Sequence, residues 1–167
     1  MAKSSPRGSY PLSDEHLYAI GGIVVIWSHI ELAMEVAICG LYDINIDRGL
    51  VLTANIGFQS RVSLLRILAT RGAIKDKATA ADLLKLLARV EERYAERNAV
   101  AHGVWSGTED PKVARRMSIR AKGNRLKCAD DPVSFDQVDA VCAKLDALRV
   151  DFARMLRRLN LKAPTGD

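Results

Sequence analysis

The segment from Leu17 to Tyr42 constrains this chain more than any other, being apolar on nearly every face and long enough to cross a bilayer. A helix of that composition belongs either in lipid or in a core. Near its middle stand Ser28, His29, Glu31 and Glu35, and two carboxylates at that depth are costly in lipid. No Lys or Arg flanks the segment closely. The expectation is therefore a buried central helix, with no membrane contact. Glu31 and Glu35 lie one turn apart, on the face that carries Val24 and Ile38, so each needs a cation among apolar neighbours.

The remaining punctuation is also mostly helical. Residues 1–12 hold Pro6, Gly8 and Pro11 and read as a flexible tail, as do 161–167. Ser13 is a plausible N-cap for a first helix ending near Gly40, and a short helix follows Asp47 and fades near Gly57. Val62, Leu65 and Leu68 space a third helix over Phe58–Thr70, closed by Gly72. Thr79 with Asp82 resembles a capping box before the stripe Leu83, Leu87, Val90 and Tyr94, which ends at Gly103. Ser134 with Gln137 is a second box, opening a last helix to about Leu159. Between them, Met117–Lys122 alternates, Gly123-Asn124 signals a two-residue turn and Arg125–Cys128 returns. At 167 residues and 5% aromatics, the chain reads as one all-α domain over 13–160. Its expected form is a bundle of four to five helices, with a small basic β-hairpin inserted at about 106–133.

A net charge of +5 and a pI near 9.3 suit a polyanionic partner. The charge concentrates in the hairpin, where no acid stands between Lys112 and Lys127. Arg115, Arg116, Arg120, Lys122, Arg125 and Lys127 form either a solvated ribbon or a phosphate-tracking, RNA-binding surface. Cys39, Cys128 and Cys142 include no C-x-x-C pair and are odd in number, which argues against a disulfide framework. The first residues lack the apolar stretch of a secretory signal, so a cytoplasmic location is expected. There is no Gly-rich phosphate loop, G-x-S-x-G elbow or H-E-x-x-H site. His16, His29 and His102 are too dispersed to suggest a metal site, and no cofactor is expected. Trp27 and Trp105 read as packing residues.

Chemistry concentrates at the end of the fourth helix, in Arg97-Asn98-Ala-Val-Ala-His102-Gly103. At roughly 100° per residue, Arg97 falls about 40° to one side of the apolar stripe and Asn98 about 60° to the other. His102 joins them only if the helix tightens or ends at Gly103. A carboxylate of the first helix, Glu31 or Glu35, is expected to meet Arg97 or else Arg93. One reading is a satisfied polar knot between helices. The other is a site for phosphodiester chemistry, since Arg offers phosphate a planar fork of donors and His moves protons near neutral pH.

The spacing Arg97-Asn98-x-x-x-His102 resembles the R-x4-6-H motif of HEPN domains, including the polar residue that often follows the Arg. The likeness extends over Leu17–Trp105 as a pattern of helices, with a buried acid on an early helix and the motif at the end of a later one. It implies metal-independent RNA cleavage at a homodimer interface, with Arg97 and His102 catalytic, Asn98 orienting them and Glu31 or Glu35 supporting. Many members act in toxin–antitoxin or phage-defence systems, which implies an antitoxin protein as partner. Others are catalytically silent helical dimers that bind protein or RNA, and the sequence leaves that alternative open. Gly103-Val104-Trp105 directly after the His departs from the family's pattern.

Overall fold

Local capping chemistry sets most of the element boundaries. The computed structural model describes residues 12–122 and 125–161, with the backbone alone for Arg120, Ala121, Lys122, Arg125, Leu126 and Lys127. The turn expected at Gly123-Asn124 lies outside the described residues, as do the tails apart from Leu12 and Leu161. The elements are α1 (Asp14–Leu41), α2 (Ile46–Thr53), α3 (Phe58–Thr70), α4 (Lys77–Ala101), β1 (Val104–Gly107), β2 (Val113–Lys122), β3 (Arg125–Ser134) and α5 (Phe135–Arg158). The described chain is thus mostly helical, with one small antiparallel sheet before its last helix.

Ser13 caps α1, its Oγ accepting from His16 N at 3.4 Å and meeting His16 Nδ1 at 2.8 Å. Asn45 caps α2, accepting from Asp47 N at 3.0 Å. Gly72 ends α3 with φ of +86°, a backbone conformation that side chains disfavour. The box at Ser134 closes reciprocally: Ser134 N donates to Gln137 Oε1 at 2.9 Å and Gln137 N to Ser134 Oγ at 3.2 Å. The box expected at Thr79 and Asp82 does not form. Asp76 caps α4 instead, accepting from Thr79 N at 2.9 Å and Ala78 N at 3.3 Å. A carboxylate is the better acceptor at a helix N-terminus. The hydroxyl of Thr79, with those backbone N–H groups, holds the Asp76 carboxyl below its ordinary pKa.

The strands also exceed the expected hairpin. They form a three-stranded sheet in the order β1-β2-β3, with Val104–Gly107 paired to Ala114–Met117. Asp130, Asp131 and Pro132 are types that strands disfavour, which hides in the sequence the part of β3 beyond the return expected at Arg125–Cys128. Pairing overrides propensity there, because Arg115 and Arg116 reach Asp130 and Asp131 at 2.8 and 3.5 Å. Pro132 is tolerated because β3 is an edge strand.

The domain expected over 13–160 divides into two compact units, with boundaries inside α1, α4 and α5. The first holds α1 up to Val24, the end of α4, the sheet and the start of α5. Its interior includes Val100, Ala114, Val133 and Val138, and His16 meets Phe135 edge-on at 6.0 Å. The second holds the rest of α1, α2, α3, the first part of α4 and the later part of α5. Its helices bury Ile30, Met34, Val62, Leu65, Leu83, Leu87, Leu145 and Phe152, each worth about 1.5–3 kcal/mol on leaving water. Tyr94 stacks on Phe58 with centroids 4.2 Å apart, and Trp27 lies 5.2 Å from Phe58. Arg158 ties α5 to α4 through Asp82 and Thr79, both at 2.9 Å.

α1 does not bury every face. Its buried line is His16, Ala19, Ile23, Trp27, Ile30, Met34 and Ala37, a single stripe at helical spacing. Val24, expected inside, is 40% exposed beside Val25 at 58% and Tyr18 at 85%, whereas Ile38 is buried. By length and composition α1 could cross a membrane, and 44% of its most apolar window is buried within the chain.

The acids of α1 find a cation that the sequence reading did not assign. Arg61 of α3 reaches Glu35 Oε1 at 2.6 Å and Glu31 Oε1 at 3.7 Å, and donates to the carbonyl of Thr53 at 3.3 Å. The expected pairing of Glu31 or Glu35 with Arg97 or Arg93 is therefore corrected: α3, packed beside this part of α1, supplies the partner. Burial pushes the Glu35 carboxyl above its ordinary 4.5, Arg61 pulls it down and Glu31 pushes it up again, so the net shift is upward. A carboxyl with a raised folded pKa stabilises most below its unfolded value, and the contribution is lost as pH rises through the folded value. Arg61→Ala removes the opposing cation and enlarges that loss. We expect it to cost about 3 kcal/mol at neutral pH, the lower end for breaking a buried pair, and clearly less just below pH 4.5. Urea denaturation of wild type, Arg61→Ala and Arg61→Ala/Glu35→Gln at both pH values checks this, and a pH-independent difference contradicts it.

Candidate functional site

The last turn of α4 gathers the three residues singled out by the sequence. Upstream, α4 is held by the buried line Leu83, Leu86, Leu87 and Val90. In its final turn Val100 stays buried while Arg97 and Asn98 are half-buried and His102, just past the helix, is exposed. The helix ends at Ala101, and His102 N still donates to Asn98 O at 3.0 Å. That ending is what lets His102 join the others. Arg97 Nη1 donates to Asn98 Oδ1 at 2.9 Å and approaches His102 Nε2 at 3.4 Å.

A guanidinium has no acceptor, so a hydrogen bond at this contact would use the Nε2 lone pair of His102. Asn98 accepts from the same guanidinium nitrogen, Nη1, that approaches His102. The trio presents a fixed cation and a proton-transfer group at the surface, the pair of functions a phosphodiester needs.

The turn into the sheet fixes this helix end. Trp105 Nε1 donates to Val100 O at 2.9 Å, satisfying one of the carbonyls that a helix C-terminus leaves without a partner. Trp105 is thus a structural fastening, in keeping with its reading as a packing residue. Gly103 lies where β2 crosses close by: a Cβ there would stand 2.7 Å from Arg116 Cγ and 2.8 Å from the carbonyl of Ala99. The departure Gly103-Val104-Trp105 is therefore a tight junction between α4 and β1.

The other expected site residues have contacts of their own. Glu31 and Glu35 belong to the Arg61 network. Arg61 was legible in principle, since Phe58, Arg61, Leu65 and Leu68 share one spacing and Arg61 occupies a core position in it. The basic set of the hairpin divides between two faces. The register pairs Arg116 with Asp131, Arg120 with Lys127 and Lys122 with Arg125, and alternation places these positions on one face. Arg115 stands on the other, bound to Asp130 through Nε at 3.1 Å and Nη2 at 2.8 Å. Those hydrogen bonds lower the Asp130 pKa and raise that of Arg115. Arg116 is ion-paired, with an Nε that is buried and lacks a hydrogen-bond partner. Side chains of the other four lie outside the described atoms. Among the described residues, no group of three or more His, Cys, Asp or Glu could hold a metal ion.

Comparison with family models, curated proteins and solved structures gives no match. The geometry therefore carries the functional argument by itself. Its tightest structural element is Gly103. Gly103→Ala should destabilise by about 1–3 kcal/mol, because the backbone carbonyl of Ala99 cannot yield as a side chain would. A melting temperature unchanged from wild type would contradict the close approach.

Proposed function

We propose that this chain is a metal-independent endoribonuclease of HEPN type, acting in the cytoplasm as a homodimer. A toxin or phage-defence role, with an antitoxin protein as partner, belongs to the same reading. One observation carries it: the 3.4 Å approach of Arg97 to an exposed His102, with Asn98 bound to the same guanidinium nitrogen. The polar knot expected through Glu31 or Glu35 is not what holds Arg97, since Arg61 engages those carboxylates.

The proposed step is attack of an RNA 2′-hydroxyl on its own phosphorus. A bond forms from that oxygen to phosphorus, the bond to the leaving 5′-oxygen breaks, and a cyclic phosphate and a free 5′-hydroxyl result. One group must take the 2′ proton and another must protonate the leaving oxygen. Each chain supplies one His102, so two copies around one phosphate provide base and acid, and the paired Arg97 side chains offset charge on the phosphorane. The basic face of the sheet, at Arg116, Arg120, Lys122, Arg125 and Lys127, supplies non-specific attraction for the strand.

Single-stranded RNA incubated with the purified chain should be cut, with and without chelator, while DNA survives for want of the 2′-hydroxyl. His102→Ala should slow cleavage by about a hundred- to ten-thousand-fold, the usual worth of a proton-transfer group. Arg97→Ala should lose about a hundredfold or more through charge stabilisation. Undiminished cleavage in both variants would exclude this site. A folded wild type that cuts no RNA would leave the silent binding module.

A further inference from the structure

The sheet has two chemically opposite faces. Its register sets Val104, Met117 and Asp130 at one level and Ile119 opposite Cys128 at the next, and alternation puts them on one face with Arg115. On the other face Ala114 and Val133 are 1% and 9% exposed, so the end of the sheet that carries them packs inside its own unit on that side. An antiparallel sheet covered on one side should be polar on the other. This outer face is apolar instead. Val104 and Ile119 are each 56% exposed, Met117 is 37% exposed, and Cys128 is exposed beside them. Four such positions close together on adjacent strands make a patch that calls for a cover.

Charge identifies what covers it. Among the described side chains of this face, the charges are one Arg115 and one Asp130, bound to each other and both about half exposed. The face is therefore neutral, and the remaining basic positions of the strands alternate to the opposite side. A polyanion has no net charge to engage here. An apolar centre with one charge of each sign at its margin is complementary to itself, which a two-fold interface demands because one patch must serve both partners.

We infer that the outer face of the sheet packs against the same face of a second copy of this chain. Met117 and Ile119 form the centre of the contact, and Arg115 and Asp130 can exchange partners across the axis. Val104 follows His102 by only two residues, so the pairing brings both copies of the motif beside one interface. That last consequence rests on the ribonuclease reading, whereas the pairing itself does not.

The test is sedimentation of the whole chain over a range of concentrations, together with alkylation of Cys128 by a maleimide, located by mass spectrometry. Wild type should sediment at twice the 18.3 kDa chain mass, and Cys128 labelling should speed up on dilution as the dimer dissociates. Met117→Lys and Ile119→Lys should lose the two-copy species while keeping the wild-type circular dichroism. Val51→Lys, at a 74% exposed apolar position on α2, should keep it. A wild type of single-chain mass at every concentration would overturn the inference, as would a dimer that survives both sheet variants. In the first case, protection of Cys128 by phosphatidylglycerol vesicles would identify a bilayer as the occupant instead. RNA cleavage measured on the same samples keeps the two ideas apart: a dimer that cuts nothing leaves this pairing standing and removes the ribonuclease.

Discussion

Two carboxylates on the most apolar helix of the chain cannot be buried without a cation, and Arg61 is the residue that makes α1 usable as a core element. It meets Glu35 at 2.6 Å, touches Glu31 and anchors to the carbonyl of Thr53, so one guanidinium links α1, α3 and the end of α2. Burial still leaves the Glu35 carboxyl above its ordinary pKa, so the pair relieves the desolvation of that acid without abolishing it. The arrangement fixes which side of α1 faces α3. Trp27 and Ile30 then fall on the inner side, while Val25 remains outside.

With the acids bound to α3, the contacts of Arg97 with Asn98 and His102 at the end of α4 are local ones. Arg97, Asn98 and His102 come from one helix terminus and the residue beyond it, and they reach each other directly. What holds the terminus is the junction that follows: Trp105 on the carbonyl of Val100 and a glycine where Arg116 of β2 and the carbonyl of Ala99 come too close for a side chain. The sheet is thus more than an appendage, since it braces the helix end on which the proposed proton transfer depends.

The strands also sort charge from apolar surface. A run that looks uniformly basic in one dimension becomes two faces once it alternates, one collecting Arg116 and the basic positions beyond it and the other holding Met117 and Ile119. Asp130 and Asp131 then answer Arg115 and Arg116 across the strand pair.

Local signals in the sequence determined much of this. The Ser13 cap, the α3 span closed by Gly72, the reciprocal box at Ser134 and Gln137, and the helix end at Gly103 all follow from contacts spanning only a few residues, which neighbouring side chains dictate. The gathering of Arg97, Asn98 and His102 belongs to the same class, since five residues separate its ends. Tertiary structure decided the rest. The cation for Glu31 and Glu35 is remote in sequence, and choosing Arg61 over Arg97 depended on which helix packs beside α1. The extension of β3 past the expected return at Arg125–Cys128 was hidden by its Asp-Asp-Pro run, because strand formation there rests on pairing partners and not on intrinsic preference. Which side of α1 and of the sheet stays exposed was likewise undetermined, since a helix apolar on nearly every face does not specify which face to bury, and only a packed neighbour can.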